Sequence, residues 1–375
     1  AQEESKILNW IKNTAGWWAS NEISEKEFLD GIEYLINNNI IFIPFMPCGG
    51  VAAIAASDPT LEPKLVPDWI KNNAGWWATD QIEDADFING IEYLIKKDIL
   101  GIDNEKIKGK VPIEDVKFSS SWTVDKDKLV YVSSSFFEAY GRNGDCLVDS
   151  SDGLSKWKSI VLGLNPNKMD MYNEVALWND PQNAVVVYPY FTYAAYSPLG
   201  FYDYYRGYCD DCTTAKFAQP ISKYTSSGKG HQTLTLLGYS SITDVEIDKD
   251  PSILQQFDKV IMLHNEYVTR PMFDAITSHP NVIYLYPNAL YAEIEVNYTD
   301  ETITLIRGHN YPEEEISNGF DWPFDNTHPY EYDDTCLNME FYKVSAGWMT
   351  NCYPENTFLT NNEQLFNILK LIKDL

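Results

Sequence analysis

With 375 residues, 44% of them hydrophobic, the chain carries enough apolar side chain for one large core and smaller satellites. Its 55 acidic residues outnumber 28 basic ones, and the resulting charge of −27 argues against nucleic acid or an anionic membrane surface as partner. No run of 18 apolar residues spans a bilayer; 40–56 comes nearest but is broken by two prolines and a glycine pair.

The first hundred residues repeat. Leu8 to Ile41 returns as Pro67 to Leu100 at an offset of 59, with Trp10/Trp69, Trp17/Trp76, Trp18/Trp77, Phe28/Phe87, Gly31/Gly90 and Tyr34/Tyr93 in register. Each copy reads as two helices, WIKNxAGWWA and then a second from Ser24 to Asn37 or from Asp84 to Lys96. Ser24 with Glu27 forms a capping box, and Asp84 is the expected N-cap of its counterpart. Phe28, Ile32, Leu35 and Ile36 fall at helical spacing and close over the tryptophans. Two readings of the Trp pairs stand: a shared small core, or one Trp of each pair left outside to bind a surface polymer or another protein. The repeat resembles a module found, often in tandem, in exported proteins of ammonia-oxidising archaea. This assigns residues 1–43 and 66–110 to two helical modules, with 44–65, rich in Pro, Gly and Ala, as linker.

From residue 111 to 375 the pattern becomes that of an α/β domain. Strands are expected over Lys128 to Ser133, Ser159 to Leu164 and Ala184 to Tyr190. Tyr188 to Thr213, with eight tyrosines, is too irregular for one helix and follows a strand, where a loop overhangs the ligand crevice. Gly230 to Gly238 reads as a helix, Tyr239 to Ile247 as a strand and Pro251 to Gln256 as a helical turn. Then come a strand (Lys259 to Leu263), a helix (Pro271 to Thr277) and a second strand (Val282 to Tyr286), a βαβ unit that demands a parallel sheet. His264, Glu266, Asn288 and Tyr291 all fall beyond the carboxyl ends of those strands, where such sheets bind ligands. Val296 to Arg307 is a hairpin, and Glu363 to Leu375 an amphipathic closing helix.

The order Gly238-Tyr239, Asp244 to Asp248, Asp250-Pro251-x-x-Leu254, His264-x-Glu266-Tyr267, Asp274-Ala275 and Asn288-Ala289-Leu290-Tyr291 resembles the large subunit of N,N-dimethylformamidase and its relatives. That family is a branch of the glutamine-amidotransferase-like fold. Its upstream T-[WY]-x-A-Y-N…G segment matches Thr192 to Ser197 and Gly200, so the resemblance covers about Tyr188 to Tyr291. It implies a mainly parallel, flavodoxin-type domain hydrolysing a small amide or related C–N bond at a mononuclear iron. Residue by residue, it implies Tyr196 and Glu266 as metal ligands and His264 beside them, so that Glu266 and His264 are the expected catalytic groups and Asn288 and Tyr291 face substrate. From the tyrosine loop itself, Arg206 is a candidate to receive a carboxylate or sugar. Phenolate and carboxylate are hard oxygen donors suited to ferric iron. Ser197 replaces the family's Asn. The family's last acidic residue has no fixed counterpart among Glu331, Asp333, Asp334 and Glu340, and no Cys elbow after a strand offers a thiol nucleophile.

Six cysteines, a start at Ala1 without methionine and one Asn297-Tyr298-Thr299 sequon suit an exported, disulfide-containing protein outside the cell or at its surface. Cys209 and Cys212 are expected to pin the tyrosine loop, Cys336 to join Cys352, and Cys48 to reach Cys146 if the linker folds back. Arg206 alternatively pairs with Asp203. His309 and His328 flank an acidic stretch in which Asp325, Glu331, Asp333 and Asp334 offer oxygen for calcium, without EF-hand spacing. The alternative to an amide hydrolase is a non-catalytic envelope protein that binds a glycan or a protein partner through its aromatic crevice.

Overall fold

The computed structural model describes residues 9–38, 40–41, 43, 48, 65–97, 99–102, 111–119, 124–134, 136–148, 155–217, 227–322, 336, 339–345, 347–354 and 362–375. The chain divides into two compact units: residues 1–116 with 125–160, and residues 117–124 with 161–375. Among the described residues no helix is long and apolar enough to cross a membrane.

In the first unit, α1 (Asn9–Ala19), α2 (Glu25–Asn37), α3 (Asp68–Ala78) and α4 (Asp84–Lys96) form two helix pairs. Ser24 and Glu27 close the start of α2 reciprocally, whereas α4 is capped by Glu83. Asp84 instead lies inside the first turn and accepts the Trp77 indole N–H at 2.7 Å. The second Trp of each pair is core: Trp18 stacks on Phe28 at 3.9 Å and Trp77 on Phe87 at 3.8 Å. The first Trp of each pair is not, with Trp17 48% and Trp76 47% exposed. The second Trp of each pair thus belongs to the small core, and the first stands outside it.

The two copies meet through α1 and α3, which run antiparallel about an approximate twofold axis. A Cβ on Gly16 would sit 3.1 Å from that of Ala78, and one on Gly75 3.2 Å from that of Ala19. A methyl at either glycine would crowd the facing alanine and require it to give by a few tenths of an ångström. Lys12 pairs with Asp80 at 2.5 Å and Lys71 donates to Asn21 at 2.6 Å, the same contact taken twice. Asn21 and Asp80 end their helices at φ of 63° and 57°, a conformation that short polar side chains tolerate. Farther along, Leu129–Ser134 pairs antiparallel with Glu138–Arg142, and Cys146–Val148 with Ser155–Trp157. A Cys48–Cys146 disulfide ties the latter hairpin to the chain between the two helix pairs.

The second unit is α/β. β1 (Ala184–Tyr188), β2 (Ser240–Thr243), β3 (Lys259–Met262), β4 (Val282–Tyr284), β5 (Phe341–Val344) and β6 (Gly347–Thr350) form one sheet in the order β5-β6-β4-β3-β1-β2. All neighbours are parallel except the β5/β6 edge. β1, β3 and β4 are buried along their whole length, as covered parallel strands must be. Helix Arg270–Ser278, with Thr269 as its cap and Pro271 in its first turn, makes the β3-to-β4 crossover. The strand expected over Tyr239 to Ile247 ends at Thr243, because Thr243 and Glu246 form a capping box that starts helix Asp244–Lys249. At the amino edge of the sheet, Lys259 Nζ donates to the carbonyls of Ile372 and Lys373 at 2.8 Å each and closes the final helix, Asn362–Asp374. A second, smaller sheet joins Tyr267–Val268, Ala292–Asn297, Thr302–Arg307 and Thr214–Lys216 in that order. Asn297 stands exposed at its hairpin tip. The remaining disulfides are Cys209–Cys212 and Cys336–Cys352.

Candidate functional site

The tyrosine segment folds as two short helices, Tyr190–Ala195 and Phe201–Tyr205. Asp244 Oδ2 accepts the Phe191 N–H at 3.0 Å and fixes the start of the first helix. Thr192 Oγ1 accepts from the backbone N–H of Glu266 at 2.9 Å and of Tyr267 at 3.3 Å, binding that helix to the turn after β3. Between the helices the chain reverses so tightly that a Cβ on Gly200 would lie 2.4 Å from Ala195 O, so the position tolerates no side chain. Ser197, at the family's Asn position, donates to Tyr193 O at 2.9 Å. These constraints aim Tyr196 and Tyr202 at one carboxylate.

That carboxylate is Glu266, fully buried. Tyr196 donates to Oε2 at 2.9 Å; Tyr202 lies 2.6 Å from the Tyr196 hydroxyl and 3.3 Å from Oε1. His309 Nε2 meets Oε1 from the other side, and His264 Nε2 lies 3.3 Å from Oε2. His309 occupies a left-handed backbone position, φ 54°, at the end of the hairpin. Such strain persists where surrounding contacts enforce it, and here the ring is packed by Tyr291 at 4.3 Å and Tyr205 at 5.0 Å.

Burial alone would raise the Glu266 pKa, but the two histidines outweigh it and pull it down to about 2. Tyr196 and Tyr202 move the opposite way: burial and the neighbouring Glu266 charge push both phenols well above their usual value. The site is therefore a buried carboxylate with two phenols that keep their protons. Tyr196 leaves 40% of its surface exposed, while Glu266 and His264 beside its hydroxyl are buried. Asp244, also fully buried, is pushed up to about 8 because burial prevails over its backbone hydrogen bonds. One fold thus holds two buried carboxyls whose pKa values are driven apart.

His264 has three polar neighbours. Its Nε2 lies 2.8 Å from Asn288 Nδ2 as well as near Glu266, and its Nδ1 lies 2.7 Å from the Tyr353 hydroxyl. Nε2 can accept from the amide or donate to the carboxylate, not both at once. A hydroxyl at Nδ1 serves either tautomer, accepting when Nδ1 holds the proton and donating when Nε2 does. The His264 backbone N–H donates to Ser227 Oγ at 2.7 Å.

Of the residues singled out in the sequence, Tyr196, Glu266, His264 and Asn288 come together, and Tyr291 joins through His309. Arg206 does not: it is exposed, and Asp203, its expected partner, accepts instead from Leu199 N at 2.7 Å. Glu340 is exposed and bonded through its backbone to Asn351. Asp325, His328, Glu331, Asp333 and Asp334 lie outside the described residues. Tyr202 and Tyr353 were not separable by sequence from the many other tyrosines, although Tyr202 shares the overhanging segment. His309 was singled out with His328 only as a histidine flanking the acidic stretch; the structure brings it to Glu266.

As a donor set the cluster offers two phenol oxygens, a carboxylate and an imidazole, all converging within hydrogen-bond range, which suits a hard trivalent cation. Among the described residues no group of three or more His, Cys, Asp and Glu is placed to hold a metal ion. A metal here would therefore depend on the phenols. No protein-family model matches the chain, and no curated protein sequence is significantly similar to it. What fold and site define on their own is an α/β protein with a Tyr–Tyr–Glu–His cluster around a buried carboxylate beyond the carboxyl ends of a largely parallel sheet.

Proposed function

We propose that the second unit is a metal-dependent amidohydrolase of the amidotransferase-like type, cleaving a small amide or related C–N bond. Three features support the reading: the ordered motifs from Tyr188 to Tyr291, the position of the cluster at the sheet's carboxyl edge, and the convergence of Tyr196 on Glu266. The single observation that carries it is the 2.9 Å separation between that phenol and that carboxylate, 70 residues apart in sequence.

Tyr196, Tyr202, Glu266 and His309 would hold the metal, in keeping with iron. A bound ferric ion supplies Lewis acidity, polarising an amide carbonyl and acidifying water. Glu266 brings the permanent negative charge, since it stays ionised at any working pH. Tyr196 and Tyr202 must each give up a proton to become anionic donors, a loss disfavoured without a cation. His264, anchored by Ser227 and free to exchange tautomers against Tyr353, is the group placed to take a proton from the attacking water and return it to the leaving amine. Asn288 holds the ring's Nε2 edge, and the exposed flank of Tyr196 is the approach for a small substrate. The setting is extracellular, with three disulfides suited to an oxidising compartment.

The test is metal content by plasma mass spectrometry on the purified full chain, followed by amine release from formamide, N,N-dimethylformamide and acetamide. Near-stoichiometric iron that disappears in Glu266→Gln, with activity following the metal, supports the proposal. A folded wild-type chain that takes up no transition metal, or a variant that keeps it, overturns it.

A further inference from the structure

The first unit contains a cavity of about 410 Å³ between α3 and α4, lined by Trp69, Asn73, Asp86, Asn89, Gly90, Glu92, Tyr93 and Lys96. Its volume lies within the roughly 300–1,000 Å³ of small-ligand sites. Two features set it apart from a gap between helices. Trp69, 42% exposed, meets Tyr93 edge to face at 5.0 Å, which makes an aromatic corner open to solvent. The lining also carries two carboxamides, Asn73 and Asn89, and two carboxylates: Asp86, one oxygen of which accepts the Glu83 N–H at 3.2 Å, and Glu92, 3.6 Å from Lys96.

Gly90 also lines it. Gly90 lies inside α4, where glycine costs about 1 kcal/mol of helix stability relative to alanine. Packing does not demand it: a Cβ there would meet only Ile70 Cδ1, at 3.4 Å, an ordinary contact. Gly31, its counterpart in α2, would meet nothing within 4 Å. Both copies therefore bear the cost of a mid-helix glycine where neither backbone conformation nor packing requires one. Gly90 itself lines the cavity, so a methyl there adds bulk to the lining.

We infer that this cavity is a binding site for a neutral saccharide. A pyranose presents a face of C–H groups that packs on an indole, while its vicinal hydroxyls pair with planar amides and carboxylates, the two kinds of group that line the walls here. Acidic lining on a chain of charge −27 disfavours phosphorylated, sulfated or uronic ligands. The first module presents the matching Trp10 and Tyr34, exposed 51% and 61%, so a glycan long enough to touch both copies gains from the second contact without new affinity at either. The site lies outside the Glu266 cluster and stands whether or not that cluster is catalytic.

Titration of the full chain with maltohexaose, cellohexaose and hexa-N-acetylchitohexaose, followed by tryptophan fluorescence and calorimetry, tests this, with hexagalacturonate as the anionic control. At least one neutral hexasaccharide binds saturably and ~10-fold or more tighter than the control. Trp69→Ala weakens it ~10-fold or more. Gly90→Ala weakens it too while raising the melting temperature, which separates occlusion of the site from loss of fold. Tyr196→Phe binds as wild type. No saturable binding of any neutral hexasaccharide at 10 mM (on the order of the weakest useful affinities), no preference over the anionic control, or binding untouched by both Trp69→Ala and Gly90→Ala overturns the inference.

Discussion

Two regions of this protein are built largely from aromatic side chains, and they use them in opposite ways. In the helical unit the rings divide the labour: Trp18 and Trp77 are buried on Phe28 and Phe87, while Trp17 and Trp76 stand half exposed. In the α/β unit the rings are phenols, and what matters is the hydroxyl at the end of each, turned on a buried carboxylate. The contrast teaches that aromatic content alone says little. A Trp–Phe stack contributes apolar area and shape, whereas a phenol against Glu266 contributes a proton whose position the local charge decides.

Replacing Glu266 by Gln breaks the contrast most sharply. Hydrolysis, measured as amine release, should fall by ~100-fold or more, because the only permanent anion of the cluster is lost. Within the helical unit, Trp77→Ala should cost about 3–5 kcal/mol in denaturant unfolding, as a fully buried Trp does. Trp76→Ala, one residue away, should cost under about 1 kcal/mol, in line with surface changes. Equal losses from the two would mean that the helical pairs pack differently.

How the sequence encoded these regions differs as well. The four helices of the first hundred residues were legible from helical spacing, and Ser24 with Glu27 marked a helix start correctly. Helix-start chemistry also explains the two misplacements. Asp84 looks as good a cap as Ser24, but Trp77 claims its carboxylate, and Thr243 with Glu246 converts the end of an apparent strand into a helix. The βαβ unit was legible because fully buried parallel strands read as unbroken apolar runs. Tyr202, His309 and Tyr353 were not, for they reach Glu266 or His264 across 43 to 89 residues through tertiary folding alone. No local spacing records that.

Acid stability gives a smaller effect that sharpens the charge argument. Glu266 is held near 2 in the folded chain against an ordinary 4.5. Above 4.5 its stabilisation is complete; as pH falls toward 2 the unfolded chain binds the proton first and the contribution, at most about 3 kcal/mol, is lost. Wild type should therefore destabilise steeply between those limits, measured by urea unfolding at stepped pH, and Glu266→Gln should show a shallower slope. Smallest of all, Tyr353→Phe should leave the fold and metal content intact and lower turnover several-fold. With its hydroxyl gone, His264 loses the partner that serves both tautomers.

The most direct test of the central claim is the visible absorption of the iron-loaded chain. Phenolate bound to ferric iron gives a charge-transfer band that carboxylate and imidazole ligands do not. The account predicts a coloured protein whose band is lost or strongly shifted in Tyr196→Phe and grows as pH rises and the phenol protons are released. A chain that binds iron stoichiometrically yet stays colourless, or keeps an unchanged band in Tyr196→Phe, would contradict it.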